Sequence, residues 1–213
     1  MDFRTMIKEF SDAPISRHLM LELLKGYKSP NDKISELIKS EMLTLVRRGL
    51  YIPGPKIDLP SPEPFLIANH LRGPSYISLE TALSYWGFIP ERTYEISSVT
   101  VKTSKKYKTS VGRFNYQKIP IPYYSFGIKS IQLTAKQTAL IASREKAVCD
   151  KIILTSNINL RSVKQTLEFL LEDLRIDSDM LKTLNIKVIG SWLEHAPKKS
   201  SLKILIKTLQ ELC

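Results

Sequence analysis

Five of the chain's twelve prolines stand within twelve residues, in the stretch PGPKIDLPSPEP from Pro53 to Pro64. Proline locks φ and has no N–H to give, so a run this dense excludes both a helix interior and an inner strand. It reads as a stiff linker that divides the chain into residues 1–58 and residues 59–213. A chain of 213 residues is long enough for two small units.

Ahead of the linker, Phe3, Met6, Ile7 and Phe10 recur at helical spacing and predict a helix over 2–10. Ser11 and Asp12 offer a cap, and Pro14 suits the first turn of a second helix carrying Ile15, Leu19, Leu21, Leu23 and Leu24, closed at Gly26. Ser29 as N-cap and Pro30 as first residue open a third helix. Its buried stripe is Ile34, Leu37, Ile38 and Met42, and its other face carries Asn31, Asp32, Lys33, Ser35, Glu36, Lys39 and Ser40. Residues 43–46 and 50–52 have strand composition around a turn at Arg48 and Gly49.

Three small helices closed by a basic hairpin describe a winged helix-turn-helix. In such a module the third helix enters the major groove, about 12 Å wide, and its polar side chains reach base edges. The expected readers are Asn31, Lys33, Ser35 and Lys39, with Arg47 and Arg48 of the wing on phosphates or in a minor groove. The competing reading is a mixed, solvated face whose Asp32 and Glu36 repel phosphate, on a unit that is structural or binds protein.

Beyond the linker, 65–71 predicts a short apolar helix, and SYISLETALSYW from Ser75 to Trp86 a second one, closed by Gly87. From Thr93 to Thr134 apolar residues alternate with polar ones, as in Tyr94, Ile96, Val99 and Val101, and predict a run of strands. Ala139 to Leu154 returns to helical character. After Ser156 and Asn157 further helices are expected over 160–175, 177–195 and 199–212. The expected class is therefore α+β: an N-terminal winged helix-turn-helix, a middle mixed region with a mostly antiparallel sheet over about 93–142, and helices over about 143–212.

The formal charge is +11, and most of the excess lies in residues 59–155, where thirteen basic residues face six acidic ones. A basic chain favours a polyanionic partner. Lys102, Lys105, Lys106, Lys108, Arg113 and Lys118 account for much of this, interleaved with Tyr107, Phe114, Tyr116, Tyr123 and Tyr124. Cations beside aromatics suit RNA or a single strand, through phosphate pairing and stacking. They suit a duplex backbone or a partner protein equally, or an edge hairpin kept soluble by lysines.

No apolar run reaches the roughly 18 residues that would mark a membrane span, and the N-terminus lacks a signal-peptide core, so a cytoplasmic protein is expected. Cys149 reads as an inert core thiol and Cys213 as a terminal one. His18, His70 and His195 sit apart, which predicts no metal site. Without a phosphate-binding glycine loop or a Gly-x-Ser-x-Gly elbow, neither a cofactor nor an enzyme is expected. An RNA-processing activity would rest on the lysine–tyrosine interleaving alone, with no acid–base pair behind it.

Three pieces of the chain, spread over residues 10–155, carry a family resemblance. They are VRRGLY from Val46 to Tyr51, SYISLETALSYWGFIP from Ser75 to Pro90, and REKAVCD from Arg144 to Asp150. In order and spacing they resemble the wing, the Ser-His-x-x-Ala-Leu-x-x-His-Gly-Leu element and the Pro-Glu-Lys-Ala-Leu-x-Asp element of the AbiEi-type antitoxins of type IV toxin–antitoxin systems and related regulators. The matching positions include Ser78, Ala82, Leu83, Gly87, Glu145, Lys146 and Asp150, while Tyr76, Trp86 and Arg144 stand where the family commonly has His, His and Pro.

The resemblance implies an N-terminal domain that represses its own operon, binding double-stranded DNA at an inverted repeat as a monomer or weak dimer. It also implies an antitoxin-like C-terminal domain that counteracts a nucleotidyltransferase-like toxin or protects that toxin's RNA target. A protein- or RNA-binding antitoxin whose winged helix reads no DNA is the alternative. From the residues themselves, Lys146 and Asp150 lie four apart on one helix face; with Glu145 they could be functional, but they read more simply as a helix ion pair worth a few tenths of a kcal/mol behind an N-terminal cap glutamate.

Overall fold

The computed structural model describes residues 2–91 and 93–212, and Cys213 lies outside them. The fold is α+β, and the described residues form two sheets and two apolar cores. No helix among the described residues is long and apolar enough to cross a membrane.

The N-terminal part runs α1 (Phe3–Ile7), β1 (Ile15–Ser16), α2 (Arg17–Leu23), α3 (Pro30–Lys39), β2 (Leu43–Arg47) and β3 (Leu50–Pro53). The three strands form an antiparallel sheet in the order β1-β3-β2. The second helix starts later than its apolar run suggests, because Ile15 and Ser16 pair with Tyr51 and Leu50 of β3. Ser16, not Ser11 or Asp12, caps α2, its Oγ accepting from the Leu19 N–H at 3.2 Å. Met20, Leu24, Ile34, Leu37, Leu43 and Tyr51 build the first core.

All four residues of β3 are buried, because the strand has a core on each side. Tyr51 points into the first core, while Leu50 and Ile52, one step either way along the pleat, belong to the second. Val46 of β2 joins them there. The hairpin is thus a wall common to both cores.

The proline-rich stretch is anchored rather than free. Gly54 N–H donates to Met42 O, Lys56 N–H to Glu41 O, and Ile57 is buried in the first core. At the far end, Glu63 N–H donates to Gln137 Oε1 at 2.7 Å. The stretch leads into α4 (Pro64–Leu71), β4 (Ser75–Ile77), α5 (Leu79–Tyr85), β5 (Glu95–Thr100), β6 (Lys105–Thr109), β7 (Gly112–Lys118), β8 (Ile128–Gln132) and β9 (Thr138–Ala142). It ends in α6 (Arg144–Leu154), α7 (Val163–Leu167) continuing as a π-helical turn to Asp173, α8 (Ser178–Lys182), α9 (Ile186–Trp192) and α10 (Lys199–Leu212).

The second sheet has the order β6-β7-β5-β4-β9-β8. It is mixed: β6–β7, β5–β4 and β9–β8 are antiparallel, while β7–β5 and β4–β9 are parallel. One of its central strands corrects the sequence reading, and another settles an overlap within it. Residues 75–77 were expected as the opening of a helix, yet they form β4; residues 139–142, which the helical stretch from Ala139 and the sheet range 93–142 both include, belong to the sheet as β9. Ser75, Tyr76 and Ile77 are all buried, so their short run lacks the alternation of a half-exposed strand. Helix α6 starts only after Ser143, whose Oγ accepts from the Lys146 N–H at 3.2 Å.

Candidate nucleic-acid interface

Helix α3 turns Ile34 and Leu37 into the first core and leaves Asn31, Ser35 and Lys39 exposed. The four expected base readers are not equally available. Lys33 is half-buried, paired with Glu36 at 2.6 Å and set over the Tyr27 ring at 5.2 Å. Its hydrogen bond to the Glu36 carboxylate raises the Lys33 ammonium above its ordinary pKa. Ser35 Oγ donates back to Asn31 O at 3.1 Å. Asp32 accepts from Ser29 Oγ, so both acids on this face are tied to neighbours within the helix. Lys39 has no hydrogen-bond or ion-pair partner among the described residues.

Arg17, which the sequence reading passed over, links this helix to the hairpin. Its Nη2 donates to Asn31 Oδ1 at 3.0 Å, and its backbone N–H donates to Gly49 O at 2.9 Å. Gly49 forms the hairpin tip at φ +83°, a backbone region that favours glycine. Asn31, Arg17 and the tip are therefore contiguous.

The two wing arginines were expected to act together, and the hairpin separates them. Arg48 is exposed at the turn. Arg47 sits after a register shift between Leu45 and Arg47, an irregularity of the β-bulge kind that re-aims a side chain. It lines a cleft of about 380 Å³ with His70, Arg72, Gly73, Lys102 and Tyr107. In that cleft Arg72 is spread by neutral acceptors: Nη1 to Tyr107 Oη at 3.2 Å, and Nη2 to Thr103 O at 2.6 Å and Thr103 Oγ1 at 2.9 Å. Lys102 Nζ donates to Gly73 O. Burial raises the Tyr116 phenol above its ordinary pKa, and the positive charges of Arg47 and Arg72 oppose that rise.

Desolvation by its surroundings lowers the His70 imidazole from its ordinary 6.5. A depressed folded-state pKa contributes stability that is present above 6.5 and is lost as pH falls through the folded value. Chemical unfolding at pH 7.5 and pH 5.5 should therefore show the protein losing more stability on acidification than a His70→Gln variant does. Equal losses would remove His70 from the titration.

The basic stretch over residues 100–129 does not form one surface. Antiparallel partners share a face, so Lys105 and Tyr107 stand with Tyr116 and Phe114, while Lys106 and Lys108 stand on the other side with Asn115 and Arg113. Lys105 lies over the Tyr107 ring at 5.0 Å, and Lys106 is 4.0 Å from Glu95. Lys118 ends β7, where its N–H donates to Ser104 Oγ at 3.0 Å. Phe114, Tyr116 and Tyr123 are buried, and Tyr107 and Tyr124 half-buried, so the expected platform for stacking bases is turned into the core.

Ser78 and Asp150, from two separate family-like stretches, meet in a closed polar cluster. Asp150 Oδ2 accepts from Tyr76 Oη at 2.9 Å and from Ser78 Oγ at 2.8 Å. Lys146 Nζ lies 3.2 Å from Asp150 Oδ1, donates to Tyr123 O at 2.8 Å, and sits 3.3 Å from the Tyr123 ring centroid. The helix pair is present, but both ionisable side chains are 0% exposed, which corrects its expected worth of a few tenths of a kcal/mol, a figure for pairs in water. Burial pushes the Asp150 acid up against the opposing pull of Lys146, Ser78 and Tyr76, and pushes the Lys146 ammonium down against Asp150. The Cys149 thiol beside them is likewise driven up by burial.

The other motif positions have structural settings of their own. Ala82 and Leu83 are buried on α5. Gly87 follows α5 at φ +73°. Glu145 accepts from Ser143 Oγ at 2.9 Å and from Asn185 N–H at 3.3 Å. Two of the departures from the family pattern meet as well: the Arg144 guanidinium lies 5.6 Å from the Trp86 ring centroid, and Trp86 Nε1 donates to Ala142 O at 2.8 Å.

No family model matches the chain, and no curated protein does. Among solved structures the chain is similar to the crystal structure of the RV2827C protein from Mycobacterium tuberculosis, at 12% identity and a TM-score of 0.64. The match covers 97% of this chain and 75% of that one. At that identity the likeness is one of fold, and it extends over nearly the whole α+β architecture described above.

Proposed function

We propose that the chain binds double-stranded DNA through its N-terminal part, read as a winged helix-turn-helix, and acts as a transcriptional regulator. The observation that carries this reading is the exposed outer face of α3, joined through Arg17 to the exposed hairpin tip. Ten residues of helix span about 15 Å, enough to lie along a major groove. In this reading Asn31 and Lys39 reach base edges, while Arg17 and Arg48 take phosphates on either side. Asp32 and Glu36 repel the duplex less than free carboxylates would, because Ser29 and Lys33 already engage them. The resemblance to AbiEi-type antitoxins supplies the setting: repression of the protein's own operon at an inverted repeat, with the C-terminal part counteracting a toxin.

Anisotropy titrations of DNA from upstream of the gene, over a range of salt, test the reading. Each phosphate contact removed should weaken binding uniformly across sequences and reduce the salt slope by about 0.9. Arg17→Ala and Arg48→Ala should each do so. Lys39→Ala should instead lower discrimination between sequences, by about 1–3 kcal/mol at the base pair it contacts. Wild-type affinity and slope in all three variants would refute the proposed interface.

A further inference from the structure

The cleft between the hairpin and the α4–β4 turn gathers several basic side chains with no acidic one among them. Several cations elsewhere are matched by acids: Lys25 with Glu22, Lys33 with Glu36, Lys56 with Glu41, Lys136 with Asp12, Lys151 with Glu80, Arg175 with Glu91. Arg47, Arg72 and Lys102 have no carboxylate partner among the described residues, and no acid lines the cleft. Three like charges face one concavity, an arrangement that favours an anion there.

The hydrogen-bonding capacity is equally one-sided. The Arg47 guanidinium has no hydrogen-bond partner among the described residues. Lys102 has used one of three protons, on Gly73 O. Tyr107 Oη accepts from Arg72, which leaves its own proton to give. Arg72 Nε is buried and unpaired, although both terminal nitrogens are held. An acceptor-only ligand with several oxygens and more than one negative charge complements such a set, and guanidinium and ammonium groups together suit phosphate. The volume, about 380 Å³, lies in the range of small-ligand sites and exceeds what a bare anion fills.

We propose that this cleft is a phosphoryl-binding site, with Arg72 as its fixed cation and Arg47 and Lys102 closing on the ligand from the hairpin and from the β5–β6 connection. The phosphoryl group comes either from a free phosphorylated small molecule or from the backbone of a bound duplex. The site goes beyond the groove-reading face and does not depend on it.

The test uses the full chain, inorganic pyrophosphate and a 16-base-pair duplex, with the Arg72 Nε–Hε resonance as reporter. Pyrophosphate should shift that resonance saturably. Arg47→Gln and Lys102→Gln, both at exposed positions, should each weaken the effect about tenfold, the loss of one charge-assisted contact. Lys164→Gln, on α7, should leave it unchanged. If the duplex shifts the resonance and pyrophosphate does not, with the same dependence on Arg47 and Lys102, the phosphoryl group is a backbone one. Pyrophosphate binding in a protein that takes up no duplex would uphold the cleft and refute the DNA-binding reading. A resonance that neither probe moves, or one that responds alike in wild type and in both variants, would overturn the cleft proposal, even if the duplex binds through α3.

Discussion

Replacing Asp150 by alanine should cost the protein about 3–5 kcal/mol of folding stability, the usual consequence of removing one partner from a buried ion pair. The carboxylate holds three groups at once. Without it the Lys146 ammonium, 0% exposed, keeps the Tyr123 carbonyl and the Tyr123 and Tyr76 rings but no counter-charge, and the Tyr76 and Ser78 hydroxyls lose their acceptor. For a chain of this length each kcal/mol lowers the melting temperature by about 2–4 °C, so a fall of roughly 6–20 °C is expected. Changing Lys146 to methionine in the same chain should recover part of the loss, because the stranded charge is then gone while the orphaned hydroxyls remain. Urea unfolding of both single variants and the double variant measures the coupling. A loss below about 1 kcal/mol for Asp150→Ala would mean that water reaches the pair.

The second large effect is expected at Gly54. A Cβ there would run into the backbone of the corner between α3 and β2: the Glu41 carbonyl oxygen first, then Glu41 C and Leu43 N, both at 2.7 Å. A backbone neighbour cannot rotate away as a side chain can. The corner is already constrained, with Glu41 at φ +59° and the Gly54 N–H bonded to Met42 O. Gly54→Ala should therefore destabilise the protein by about 3 kcal/mol or more, at the upper end of overpacking costs. It should also weaken duplex binding, since the displaced corner carries the C-terminal end of α3. Gly26→Ala is the control: nothing lies within 4 Å of the added methyl, and a change within about 0.5 kcal/mol is expected. Wild-type stability in Gly54→Ala would show that the Glu41 corner yields freely.

Local patterns carried much of the architecture. The stripe of Ile34 and Leu37 specified α3, and the turn at Arg48 and Gly49 between two apolar runs specified the β2–β3 hairpin, because each depends only on neighbours in the chain. The alternation in Gly112–Lys118 was readable for the same reason. β4 escaped because this central strand is covered on both faces and loses its period of two, whereas β9 keeps a nearly alternating burial and fell inside the expected sheet range of 93–142. Among the candidate site residues, Arg48 and Lys39 stayed free as their polar setting suggested. Lys33 was diverted to Glu36 and Tyr27, and the aromatics among the lysines went inward.

Composition, helical spacing and turn chemistry were sufficient for an α+β chain with a basic excess and a small helical head closed by a hairpin. Each of these is set by residues within a few positions of one another. Partnership over long separations was not written in any one stretch. Arg17 meets Asn31 fourteen residues on, Arg72 meets Thr103 across thirty-one, and Ser78 meets Asp150 across seventy-two. The packing of the hairpin between two cores decided that Arg47 faces a cleft while Arg48 faces solvent. Burial, which no window of sequence states, turned a helix-face pair at Lys146 and Asp150 into a closed polar cluster, because desolvation depends on everything that surrounds a charge rather than on what stands next to it in the chain.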